Sequence, residues 1–447
     1  MSSAAEARAA PERLIPGDLD TALDLPDWRQ RVSWPVSLDA ANATSIAQMR
    51  RALAWAGALD DRLLRDAALL ALPNILGYGR AIVLAAMALR SMKASGARLA
   101  SRAPEIAYLQ TGAGEPPARR EPILPSPPIR FEFARRMMRC HSWTGTARLL
   151  PAMLAPQAVA VSHNSLLRSE AARARRRVSF RHAESFLNTA RRRSAGVSAG
   201  PSATDMARSL ARAISEGAAP DSVFSRRACI LLEAMALPHL EKAVRDLSAL
   251  RSVALPEEIW SGSGGLYAPR AVGLEVLRRG GRVVRFDHGT PRGFVETAEV
   301  NALLEFCVST DFFLATGGAA EICRANSDDT LQLGDREIAI HGARGDSAFA
   351  QVPARRSGRP ARSPKRVVYA PTMLMGFRRG LPVQPPDAVY LDWQMRVAEM
   401  LGDLPVELVC QPHPEGLLRG RPHPLEKLAT TVRGNFERQV EQADIFI

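Results

Sequence analysis

The chain has 447 residues, more than one hydrophobic core normally takes, so two or three domains are expected. With 46% hydrophobic and 23% charged residues, global disorder is excluded. A formal net charge of +13 favours anionic partners such as nucleotides, phospholipid surfaces or nucleic acid. Only four of the 59 basic residues are lysine (Lys93, Lys242, Lys365, Lys427), a skew that coding bias in a high-GC genome explains. The five cysteines (Cys140, Cys229, Cys307, Cys323, Cys410) are scattered without CxxC spacing, which fits a reducing, cytoplasmic compartment and no structural zinc.

At the start, MSSAAEARAAPERLIPGD, no basic stub precedes an apolar run, so no secretory leader is expected. Residues 1–114 read as a helical N-terminal region, with apolar residues at three-to-four spacing over 60–72 and 80–99. The most apolar stretch, 67–92, carries Pro73, Gly77, Gly79 and Arg80 as breaks. Its second half falls short of the ~20 residues that cross a bilayer, so a pair of core helices is expected. A Pro-rich linker follows at 115–130.

Over 130–350 short apolar runs alternate with helices. Strands are expected at 158–162, 178–180, 258–261, 282–286 and 306–316. Helices are expected up to 193 and over 206–216, 227–250 and 266–279, the last closed by Gly280-Gly281. This rhythm predicts a parallel, Rossmann-like α/β sheet. A second Pro/Arg/Ser-rich linker at 352–366 opens a last unit, 365–447, with strands at 366–370 and 406–411, a helix at 388–401 and a further strand from 444. That unit reads as an incomplete sheet domain, the expectation for a truncated or split gene product. The Arg-rich segment 168–193 reads as a solvated helix face, or else as a docking face for acidic lipids or a polyanionic acceptor. Without interleaved aromatics it gives no sign of a specific nucleic-acid binder.

Three loops carry chemistry. In FDHGTPRGF (286–294) a strand delivers Asp287 and His288 to its carboxyl end, where open α/β sheets bind ligands. A histidine there can serve as base or phosphate donor. Gly289 makes the turn with Pro291, Thr290 adds a hydrogen-bond donor and Arg292 a fixed positive charge. In VVYAPTMLMGFRRG (367–380) a strand ends in Pro371-Thr372, followed by Arg378 and Arg379. In VELVCQPHPEG (406–416) two prolines fix the backbone around His413, with Glu415 completing the loop. His163 in SHNS ends another strand, SGSGGLY (261–267) is a turn forced by close packing or a weak phosphate cradle, and His423 reads as loop structure.

The order His-Gly-Thr-Pro (288–291), Tyr-Ala-Pro-Thr (369–372), His-Pro (413–414) and Ala-Asp-x-x-Ile (443–447) resembles the CDP-glycerol glycerophosphotransferase family of teichoic-acid polymerases and related capsule-building transferases. The resemblance covers roughly residues 258–447. It implies the GT-B fold: two Rossmann-like domains facing a cleft, here with the helical N-terminal region added. It also implies His288 as catalytic base, His413 at the donor's phosphates and Pro371 and Thr372 at the donor pocket. Asp287 would orient His288, while Thr372, Arg378 and His413 would hold the donor phosphates, with Gly289, Thr290, Arg292 and Glu415 in the same phosphate-binding loops. The implied partners are a nucleotide-activated sugar or CDP-glycerol donor and a polysaccharide or lipid-linked acceptor, at the inner face of the plasma membrane. Neither cofactor nor metal is required, because Arg, His and helix N-termini can meet the phosphate charge. The chain departs from the family in having Arg292-Gly293 where Leu-Lys is usual, and it ends before the Asp-Tyr-Ser-Ser loop that follows Ala-Asp. A non-catalytic relative that binds a nucleotide sugar or a partner enzyme is the alternative.

Overall fold

The computed structural model describes residues 14–117, 156–173, 177–194, 202–216, 222–262, 265–288, 297–331, 337–345, 363–376, 386–414, 416–418, 420–434 and 436–447. Most of both Pro-rich linkers lies outside them. The chain is an α/β protein built on parallel sheets.

The N-terminal part comprises β1 (Leu14–Pro16), α1 (Leu19–Leu23), α2 (Trp28–Arg31), α3 (Leu38–Gly57), α4 (Arg62–Ser95), β2 (Arg98–Ala100) and α5 (Pro104–Thr111). Strands β1 and β2 pair in parallel. The expected break at Pro73 does not occur: α4 is one helix of 34 residues with Pro73 inside it. An interior proline costs about 3 kcal/mol, whereas burying each of Leu69, Leu70, Leu72, Ile75 and Leu76 returns about 1.5–3 kcal/mol. Gly79 is not a break either. A Cβ there would meet Leu232 at 3.1 Å, so the glycine lets a neighbouring helix approach. By length and composition α4 could cross a membrane, yet its most apolar window is buried throughout by protein.

The large sheet is formed by β3 (Ala158–Ala160), β4 (Val178–Phe180), β5 (Glu258–Ser261), β6 (Arg282–Phe286), β7 (Asp311–Leu314) and β8 (Ala339–Gly342), in the order β4-β3-β5-β6-β7-β8. Every pairing is parallel. Its helices are α6 (Ser165–Arg173), α7 (Ala183–Arg193), α8 (Ser202–Ser215), α9 (Val223–Leu250), α10 (Tyr267–Arg278), α11 (Ala298–Leu304) and α12 (Gly317–Ala325). Alternate strand residues face opposite sides. Val159, Ile259 and Val283 join α10 in one core, while Ala158, Ala160, Trp260, Val284 and Phe286 pack with Leu166 and Leu167 of α6 in another. The helices after β3 and β5 therefore lie on opposite faces, which makes the carboxyl ends of those strands the topological switch point, where open α/β sheets have their ligand crevice. The strand expected over 306–316 divides into a 3-10 turn (Phe306–Val308) and β7; β8, short and half-exposed, was not anticipated.

The smaller sheet contains β9 (Lys365–Tyr369), β10 (Val406–Cys410), β11 (Thr430–Thr431) and β12 (Ile445–Phe446), in the parallel order β11-β10-β9-β12. Helix α13 (Asp387–Gly402) joins β9 to β10, and α14 (Phe436–Gln442) precedes β12. The first helices reach this unit. Leu19, Ala22 and Trp28 form a core with Leu374, Ala388, Leu391 and Leu418, and Arg29 pairs with Asp392 and Glu399 of α13.

Candidate functional site

Two groups of side chains stand at strand carboxyl ends, one on each large parallel unit. The first fills the switch point of the six-stranded sheet. β3 runs directly into Ser162, His163 and Asn164, and β5 into Gly262. Ser162 Oγ accepts the Gly262 N–H at 3.0 Å and lies 3.0 Å from Ser261 Oγ, which draws the two strand ends together. Asn164 occupies the position before α6, and its Oδ1 accepts the Leu167 N–H at 2.8 Å as a helix cap does. Its Nδ2 reaches the carbonyl oxygens of Gly262 at 2.6 Å, Asp287 at 2.8 Å and Phe286 at 3.0 Å. One buried amide thus ties β3 to the ends of β5 and β6.

Asp287 is buried, and its backbone N–H still pairs with Phe313 of β7. The next residue, His288, is exposed. His163, at the end of β3 with β5 between it and β6, is half-buried and edge-on to Phe180 at 5.5 Å between ring centroids. Its Nδ1 lies 3.0 Å from Arg168 Nη1. A guanidinium only donates, so Nδ1 is the acceptor there. His182 follows β4, and burial pushes its imidazole below the ordinary value. Gly289, Thr290 and Arg292 lie outside the described residues.

The second group stands on the four-stranded sheet. The loop after β9 buries Pro371 and exposes Thr372. It is held from α13: Gln394 Nε2 donates to the Thr372 carbonyl at 3.0 Å, and the Asp387 carboxylate accepts the amides of Met375 at 3.1 Å and Gly376 at 2.6 Å. On the adjacent strand, Gln411 N–H donates to the Tyr369 carbonyl at 2.8 Å, and the chain then presents His413 at the surface. Thr372 and His413 therefore share one sheet edge, on neighbouring paired strands. Burial pushes the Cys410 thiol up to about 11 and the Tyr369 phenol well above its ordinary value, so neither is a ready nucleophile. Arg378 and Glu415 lie outside the described residues.

No family model, curated protein or solved structure matches the chain. The site rests on its own geometry.

The structure places Asp287, His288, His163 and Gly262 at carboxyl ends of strands of one sheet, and Pro371, Thr372 and His413 at those of the other; residues 263 and 264 of the expected 261–267 turn lie outside the described residues. His423 stands apart: it is buried and caps a 3-10 turn with Glu426. Gln394 and Asp387 were not picked out from sequence, where they are two among several polar residues of their helix. Several arginines of 168–193 serve internal contacts, Arg191 with Asp246 and Arg181 over the Phe186 ring. Among the described residues no group of three or more His, Cys, Asp or Glu gathers as a metal site would require.

Proposed function

We propose that the chain is an inverting GT-B transferase. It moves a glycosyl or glycerol-phosphate group from a nucleotide-activated donor to a polysaccharide or lipid-linked acceptor at the cytoplasmic membrane face. The observation that supports this reading is the placement of two histidine-bearing loops, at His288 and His413, on the carboxyl edges of two different parallel sheets. Ligands of open α/β sheets bind at such edges, and a transferase needs one for the acceptor and one for the donor.

In this mechanism His288 takes the proton of the acceptor hydroxyl. The freed oxygen bonds to the anomeric carbon, or to the phosphorus of a glycerol-phosphate donor. The bond from that atom to the nucleotide's phosphate oxygen breaks, and the electron pair leaves with the nucleotide. His413, Thr372 and Arg378, with Gly289, Thr290 and Arg292 as further phosphate-binding residues, meet the growing negative charge of the leaving phosphate. The test is incubation of the full chain with labelled CDP-glycerol, CMP-sugars and UDP-sugars, following nucleotide release and transfer. Release from one donor that is lost in His288→Ala supports the reading. Binding of a donor without any release favours a nucleotide-sugar-binding protein instead.

A further inference from the structure

We propose that Asn164 is a positioning residue for His288. This rests on the transferase reading for its consequence in turnover, but its structural content can be tested without any substrate.

His288 lies two residues beyond the end of β6 at Phe286 and directly follows Asp287, so its direction is set by the main chain of Asp287. That residue is held through both of its main-chain polar groups. Its N–H pairs with the Phe313 carbonyl at 2.8 Å, and its carbonyl accepts from Asn164 Nδ2 at 2.8 Å. Nothing in β6 itself dictates the second contact, because Asn164 lies 123 positions earlier in the chain. The same amide reaches Phe286 O and Gly262 O, so the ends of β5 and β6 are fixed in one piece. The side chain is 7% exposed and anchored from behind by the Leu167 amide, which fixes its rotamer. An amide suits this place because it presents a donor and an acceptor on opposite corners. Aspartate of the same shape would turn an oxygen towards three carbonyl oxygens, and alanine would leave those carbonyls and the start of α6 unsatisfied. Serine keeps the cap on α6, since its hydroxyl accepts the same amide, but is too short to reach Asp287.

The experiment is NMR of the full chain carrying labelled histidine, with the His288 signal assigned by its loss in His288→Ala. Its position and width are compared at one pH for wild type, Asn164→Ser and Asn164→Ala, alongside thermal unfolding and, where a donor is turned over, kcat and KM. Asn164→Ser is expected to unfold cooperatively, yet to shift or broaden the His288 imidazole signal. Turnover is expected to fall about 100-fold in kcat with donor KM within about two-fold, the mark of misplacement rather than lost binding. A His288 signal identical to wild type in position and width in Asn164→Ser overturns the proposal. An absent wild-type turnover counts against the transferase reading alone, because the NMR comparison still decides the role of Asn164.

Discussion

Gly262 sits directly against Asn164: a Cβ on the glycine would lie 2.4 Å from the Asn164 backbone nitrogen and 2.6 Å from the His163 carbonyl carbon. Both are main-chain atoms of β3's end and cannot swing aside. The two strands flanking the crevice therefore come as close as backbones allow, and the cluster of Ser162, Asn164, Asp287 and His288 depends on that approach. Gly262→Ala is expected to cost about 1–3 kcal/mol through this clash. Urea unfolding would show it as a lower midpoint with an unchanged slope; an unchanged midpoint would contradict the close packing.

The Pro371–Thr372 loop is predicted to depend on residues more than 340 positions away. Trp28 packs in one core with Leu374, Leu391 and Leu418, and Arg29 pairs with Asp392 and Glu399. Trp28 is 8% exposed, so Trp28→Ala is expected to cost about 3 kcal/mol by leaving a cavity. Arg29→Ala is expected to cost about 1 kcal/mol or less, because Glu399 stays largely in water and only Asp392 is well buried. Hydrogen exchange should show the loss centred on α13 and the loop after β9. Equal effects of the two substitutions would contradict this ordering.

Acid stability gives a third prediction. Burial alone would raise the Asp311 carboxyl, but hydrogen bonds from Arg282, Thr310 and His341 outweigh it and hold the group down at about 2. A depressed folded value stabilises the protein above the unfolded value near 3.8 and is lost as pH falls through about 2. The stability difference between wild type and Asp311→Asn should thus be about 1–2 kcal/mol at pH 6 and shrink between roughly pH 4 and 2. A difference independent of pH would show that the carboxylate's charge is not what Arg282 reads.

Much of this fold is legible in short β-branched runs. Val283 and Val284 mark β6, Val367 and Val368 mark β9, and each run ends in the Gly, Pro or Thr of a loop. Pro73 misled because helix propensity is local, whereas α4 is buried on nearly all sides and its surroundings override one missing hydrogen bond. β8 and β11 have four and two residues, too few for an alternating pattern to register, whereas the strand expected from 444 is β12. His288, Thr372 and His413 could be picked out because each follows a recognisable strand. Asn164 could not be given its role in the same way. Its partners are 98 to 123 positions distant, and only the strand order brings them together.

His413 is expected to act on the donor rather than the acceptor. His413→Ala should raise donor KM about ten-fold, with a smaller change in the pH profile of kcat, and Thr372→Ala should act in the same direction. Isothermal titration with the donor nucleotide alone separates this from catalysis. Unchanged nucleotide affinity in both variants would place the donor elsewhere.

The most direct measurement is nucleotide release by the full chain from a panel of CDP-, CMP- and UDP-activated donors, with His288→Ala beside wild type. One donor should be turned over, and the variant should lose about 100-fold to 10,000-fold in kcat while keeping the wild-type unfolding curve, as removal of a general base does. Equal turnover by the variant would contradict His288 as the base.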